Sequence, residues 1–243
     1  MDSTKVTKAP LFARATLSAK ATWHANKSLL LFITLMFVFR SAVADWNYVP
    51  SSSMNPTLVA GDRVVVNKLA YNLRLPFTLA QIVRWSKPTR GDVITFDSPK
   101  DEVNLIKRVI ALGGDKLEMR DNVLFLNGAE VKRTLVAESR DMPTEIGVTK
   151  PQIWREQLAG RSYEVARLTS RNFMRDFDEV TVPAGHVMVM GDSRDNSNDS
   201  RFIGFIDIQR ITGRAHHVAF SHDVGDYYIP RANRWWLPLH QTN

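Results

Sequence analysis

Ten residues from Val103 to Leu112, VNLIKRVIAL, restrict the fold more than any other stretch of this chain. Their apolar, β-branched character fits a strand, and a strand sends successive side chains to opposite faces. Leu105, Lys107 and Val109 then share one face, and Ile106, Arg108 and Ile110 share the other. Whichever face packs against a core, one basic residue goes inward with it. A strand lysine commonly packs its stem and lifts its ammonium into water. An ammonium held among apolar side chains instead loses hydration, its pKa falls from about 10.4 towards neutrality, and the free amine becomes a general base.

Other short runs repeat the pattern: DRVVVNKL at 62–69, GDVITF at 91–96 and VMVMGD at 187–192, each bounded by turn formers. VLFLNGAEV, 123–131, reads as a hairpin, because Asn127 and Gly128 both tolerate the positive φ of a two-residue turn. The fold class expected is mainly β. With 243 residues, 44% of them hydrophobic, the chain can bury a core of its own. Between about 116 and 183 it turns polar and irregular, Pro143 and Pro151 interrupt it, and IWREQLAG at 153–160 suggests a short helix. This section is expected to be a smaller subdomain inserted between two halves of a β domain, 45–115 and 184–243.

The N-terminal part is different. Lys5, Lys8, Arg14, Lys20 and Lys27 face the single acid Asp2 within residues 1–27, and SLLLFITLMFVF follows at 28–39. The run is short of the roughly 20 residues a bilayer needs, but approaches it on continuing through Arg40 to Ala44 if the arginine snorkels. A single-pass transmembrane helix over 28–44 is expected. The basic tail then stays in the cytoplasm, and everything after Ala44 lies on the periplasmic or outer face of the inner membrane. A buried core helix and a cleavable signal peptide cut after Ala44 are the alternatives; the long polar tail and Arg40 count against the second.

The formal charge of +7 raises the question of nucleic acid, but Lys and Arg are scattered without a dense basic block and interleaved aromatics, so no nucleic-acid partner is expected. The absence of cysteine excludes a thiol nucleophile, disulfides and thiolate metal sites. No metal or cofactor is expected, and the chain is read as a monomer.

PSSSMNPTL, 50–58, sets three serines between two prolines and follows them with Met54, which reads as exposed. Alone it is a polar loop. A serine hydroxyl becomes a useful nucleophile only beside a base, and a neutral lysine is one such base. His216 and His217 lie in a β-like run and His222 near a turn, where structural roles are the ordinary ones. GDSRDNSNDSRFIGF, 191–205, fails as an EF-hand: counting from Asp192, Arg194 falls at a ligand position, no glycine is sixth, and Ile203 takes the place of the bidentate acid. Its acids, amides and hydroxyls suit a hydrogen-bonded surround for a lysine.

In chain order, PSSSMNPTL, GDRVVVNKLAY (61–71), RGDVITFDSP (90–99), NLIKRVIALGGDKL (104–117) and GDSRDNSNDSRFIGF together resemble the bacterial type I signal peptidases, most strongly over 46–116 and 186–220. The resemblance implies a membrane-tethered Ser/Lys endopeptidase with a mainly β catalytic domain. Its substrates are exported preproteins, cut after small residues in an Ala-x-Ala pattern, and its other partner is the lipid bilayer. By motif position Ser53 is the nucleophile and Lys107 the base, with the Ser53 N–H and the Ser51 hydroxyl as the oxyanion hole. Ser197 is expected to hydrogen-bond Lys107, and Asp199 and Arg201 to form a supporting ion pair. Met54, Leu58, Leu105 and Ile106 are expected to line pockets for the first and third residues before the cut.

Two departures stand out: Ser52 occupies a position where the family often has glycine, and Leu112-Gly113-Gly114-Asp115 replaces the usual proline-glycine. RWWLPLH, 234–240, departs furthest; Trp235 and Trp236 suit either a membrane interface or a packed tail. Three other readings remain open: a self-cleaving SOS-type repressor, whose DNA-binding domain the apolar run here replaces, a processing peptidase dedicated to conjugation or pilus components, and a membrane-tethered β module that binds without chemistry.

Overall fold

The computed structural model describes residues 26–37, 44–75, 81–121, 123–144, 147–168, 176–239 and 241–242. The chain divides into two compact units, Met1–Ser41 and Ala42–Asn243.

In the first unit residues 26–37 form a helix whose Leu31, Phe32, Leu35 and Phe37 are more than half exposed. Twelve residues rise about 18 Å, against about 30 Å of bilayer hydrocarbon. Among the described residues no helix is long and apolar enough to cross a membrane. Residues 38–43, through which the anchor reading continues, lie outside the described residues, as does the basic tail before residue 26. Ala44, expected to close the anchor, instead opens a strand, Ala44–Tyr48, held by antiparallel pairing to Asp62–Asn67.

The second unit is mainly β. Its largest sheet runs in the order Ala44–Tyr48, Asp62–Asn67, Ile211–Asp223, Val93–Asp97, Asn104–Leu112, His186–Met190, Ile206–Asp207, every neighbour antiparallel. Asn104–Leu112 is interior to this sheet and sends Leu105 and Val109 into an apolar cluster with Ile94, Phe96, Val187 and Val189. Its other face delivers Ile106 to a cluster around Met54, Val64 and Val218, and Ile110 to a third around Met188, Met190 and Val165. The alternation is as expected, but both faces are covered. Lys107 and Arg108 are therefore both buried, at 3% and 1% exposure, where only one basic residue was expected to face inward.

The 116–183 section is not irregular. Its described strands build three sheets: Phe177–Thr181, Lys116–Arg120, Val123–Leu126, Ala129–Glu130; Arg133–Ala137, Gln152–Leu158, Arg161–Arg167, joined by Gln241–Thr242 from the C-terminal part; and the pair Met142–Thr144, Gly147–Thr149. The hairpin forms where expected, with Asn127 at φ 52° and Gly128 at φ 78°. IWREQLAG is not a helix: Gln152–Leu158 pairs residue for residue with Arg161–Arg167. Its period of two was hidden because Glu156, polar by type, points inward and is 1% exposed. The section shares its core with the large sheet, since Leu117, Met119, Leu124 and Leu158 pack with Ile110, Met188 and Met190.

Candidate active site

The serine loop joins two neighbouring strands, so its ends are held together: Val49 N–H donates to Asp62 O at 2.9 Å and Gly61 N–H to Val49 O at 3.0 Å. Asp62, fully buried, accepts from Val59 N–H at 2.9 Å and pairs with Arg234, whose guanidinium also reaches Thr57 O at 3.0 Å. Met54 is not exposed. Together with Leu58 it has no accessible surface, and both pack with Val49, Val93 and Leu239. These two apolar side chains root the loop in the core and hold the serines at the sheet surface.

Lys107 comes to the loop from the interior strand. Its Nζ donates to Ser53 Oγ at 2.8 Å and to Ile106 O at 3.0 Å, and Ser51 Oγ lies 3.2 Å from Ser53 Oγ. Burial disfavours the charged amine and lowers its pKa from 10.5 to about 8, with the carboxylates of Asp199 and Asp192 pulling the other way. Once the proton leaves, the same contact runs in reverse, with the Ser53 hydroxyl donating to the amine. The pair can then pass a proton from oxygen to nitrogen as the oxygen attacks carbon.

The 191–205 segment closes the back of the site. Asp199 and Arg201 form a two-point ion pair at 2.8 Å and 2.8 Å, both side chains almost wholly buried. Burial alone would raise the Asp199 pKa, but the Arg201 hydrogen bonds and charge hold it below the usual carboxylate range. Asp199 also accepts from Gly191 N–H at 3.0 Å, and Arg201 donates to Arg194 O at 2.7 Å. Ser197 differs from expectation. Its buried hydroxyl makes no well-formed hydrogen bond, with Lys107 or otherwise, and lies near enough to Asp199 to favour that carboxylate's charge. It packs instead on Gly191, where an added Cβ would meet Ser197 Oγ at 2.2 Å and Ser53 O at 2.4 Å.

Leu105 and Ile106 retain partial exposure, whereas Met54 and Leu58 do not, so any apolar surface offered by these four comes from the strand residues. The three histidines have other partners: His216 sits 3.3 Å from Arg214, His217 stacks on Trp236, and His222 meets Phe220 edge-on. Among the described residues no group of three His, Asp or Glu side chains is gathered as metal ligands would be.

Several residues that set this geometry were not singled out in the sequence. Arg108, the neighbour of Lys107, forms a two-point pair with Asp192 at 2.8 and 2.6 Å, and Arg194 pairs with Glu156 at 2.9 and 2.5 Å. Gly191 makes the close approach just described, and Asn196 Nδ2 donates to Ser52 Oγ at 2.8 Å. The available signal was the inward alternation of Arg108, since a buried guanidinium requires a carboxylate partner.

Residues 22–220 match the family described as "Signal peptidase, peptidase S26". Three relatives carry the name signal peptidase I. The protein of Pseudomonas fluorescens is 36% identical over 81% of this chain and 72% of its own length. That of Pseudomonas aeruginosa is 35% identical over the same shares, and that of Aquifex aeolicus is 32% identical over 84% of this chain and 87% of its own.

Proposed function

The chain belongs to the signal peptidase, peptidase S26, family and is a signal-peptide-removing enzyme, and from that premise we propose that it works as a Ser53/Lys107 endopeptidase cutting after small residues in an Ala-x-Ala pattern. The observation that carries this reading is the 2.8 Å contact between Lys107 Nζ and Ser53 Oγ at a lysine with 3% exposure. A neutral Lys107 takes the Ser53 proton as Oγ attacks the scissile carbonyl carbon. The Ser53 N–H and the Ser51 hydroxyl, 3.2 Å from Ser53 Oγ, receive the charge that develops on the carbonyl oxygen. As the C–N bond breaks, the Lys107 ammonium returns the proton to the departing amine. Water, deprotonated by the Lys107 amine now neutral again, then hydrolyses the Ser53 ester, and Lys107 returns that proton to Ser53 Oγ as the C–O bond breaks.

Arg201 holds Asp199 in place behind Lys107, where the carboxylate stabilises the ammonium that forms during the reaction, and Ser197 acts by packing on Gly191. Ile106, backed by Met54 and Leu58, gives the substrate an apolar surface on one face of the strand, and Leu105 gives another on the opposite face. Membrane attachment is supported by the exposed leucines and phenylalanines of helix 26–37, by the four basic residues before it and by Lys27 in its first turn. Processing of a purified preprotein tests the reading. Ser53→Ala should yield no mature product, and a preprotein with Phe in place of the alanine before the cut should be processed at least tenfold more slowly. A Ser53→Ala enzyme that still cleaves removes Ser53 as nucleophile, and equal processing of the two preproteins removes the small-residue pocket.

A further inference from the structure

We infer that Ser52 and Asn196 form a latch that aims the Ser53 N–H at the reacting oxygen, making Asn196 a positioning residue for cleavage. The inference rests on the reading of Ser53 as nucleophile and oxyanion donor. It begins with the departure noted in the sequence, a serine at a place where glycine is common in the sequences this chain resembles. That serine is fully buried, and its hydroxyl is not idle: Asn196 Nδ2 donates to Ser52 Oγ at 2.8 Å.

The backbone around Ser53 explains what such a bond can control. Asn55 N–H donates to Ser52 O at 3.0 Å, and Ser193 N–H donates to Ser53 O at 3.1 Å. A trans peptide is planar, so its N–H points opposite its C=O. The direction of the Ser53 N–H is therefore tied to that of Ser52 O, which Asn55 N–H holds from within the loop. The following peptide, by contrast, is held from the 191–196 segment. The Ser52 side chain adds a tie from outside the loop on the preceding peptide, because its bond to Asn196 fixes the Ser52 Cα to the same segment that grips Ser53 O. Glycine at 52 would remove that tie and widen the φ,ψ range available to the residue.

Asn196 is suited to bear the load. Its own N–H donates to Ser193 O at 3.0 Å, closing the turn whose first N–H holds Ser53 O. The same turn lines a cavity of about 280 Å³ with Arg194, Ser197 and Phe202, and the Asn196 side chain ties the turn to the serine loop. An oxyanion donor contributes most when it does not have to reorient as charge develops. Losing the latch should thus act on the chemical step and leave ground-state binding of the preprotein nearly as it was.

Steady-state kinetics on one preprotein test this with Ser52→Ala, Asn196→Ala, the double variant and Ser53→Ala. Each single variant should lose about tenfold in kcat with KM within about twofold, and the double variant should lose no more than either single one, as two halves of one contact do. Wild-type kcat in Ser52→Ala, losses that multiply to about a hundredfold in the double variant, or a change confined to KM or to the melting temperature would each overturn the latch. Should Asn196→Ala not fold, Ser52→Ala and Ser52→Gly decide by themselves, since they remove a single hydroxyl or restore the commoner residue. Ser53→Ala separates the two levels. If it is inert while Ser52→Ala is at wild-type rate, the latch alone fails; if it still cleaves, the nucleophile assignment fails first.

Discussion

Arg108 and Asp192 hold each other through two hydrogen bonds, 2.8 and 2.6 Å long, with 1% of either side chain exposed. The pair ties the interior strand to the segment behind the serine loop. Because Arg108 leaves the strand on the face opposite Lys107, fixing one fixes the other. Arg108 also donates to Gly91 O at 3.0 Å and lies over the Tyr163 ring at 4.1 Å.

Arg108→Met should accordingly destabilise the protein by about 3–5 kcal/mol, since it leaves Asp192 charged, buried and without its main partner. Adding Asp192→Leu should recover much of that loss. The urea midpoints of the two variants provide the measurement, and a single-variant loss below about 1 kcal/mol would show that the pair is not what holds the strand to the segment.

Activity should follow the Lys107 proton. With the amine's pKa lowered to about 8 by burial, kcat/KM on a preprotein should fall about tenfold per pH unit below that value and level off above it. Lys107→Arg, which stays charged at any accessible pH, should have no measurable turnover while keeping its fold. Cleavage by this variant, or an acid limb centred near pH 6.5, would redirect attention to a histidine.

The same burial has a cost in stability with a definite sign. Below pH 8 the lysine is charged in both folded and unfolded chains and the desolvation penalty is fully present. Between about 8 and 10.5 the unfolded chain binds more protons than the folded one, so stability rises with pH. Lys107→Met should therefore be more stable than wild type at pH 6–7, by up to about 3 kcal/mol. Thermal melts across this range provide the check, and a wild-type protein whose stability is flat from pH 8 to 10 would contradict a charged, desolvated amine.

Ser51→Ala should reduce kcat by about 10²–10³ with KM little changed, because a hydroxyl 3.2 Å from the attacking oxygen matters most once negative charge has formed. Ser51→Thr keeps the donor and should retain more activity. Near-wild-type kcat in the alanine variant would leave Ser51 as a turn residue only.

Gly191→Ala places a methyl 2.4 Å from Ser53 O, a backbone atom that cannot swing aside as a side-chain tip can. The expected result is a loss of about 10²-fold in kcat through displacement of Ser53. An alanine variant with wild-type rate would mean that the serine loop yields freely, and would weaken every positional argument made for it.

What could be read from the sequence was what neighbouring residues determine among themselves. The period of two in Asn104–Leu112 and the Asn127–Gly128 turn follow from local chemistry, while Ser53, Lys107 and the Asp199–Arg201 pair were picked out by the resemblance of their segments, taken in chain order, to a known family. Charge burial does not. IWREQLAG, 153–160, read as a helix because Glu156 looked like a surface residue; it is buried because Arg194 reaches it from 38 positions away and Tyr163 O–H donates to it. Arg108 likewise goes inside because Asp192 arrives from 84 positions along the chain. Met54 read as exposed beside three serines, and is buried because Leu239 and Val218 cover it. In each case the cost of taking a group out of water, or the gain from doing so, is settled by a partner that no local window contains, so tertiary structure alone decided where these side chains went.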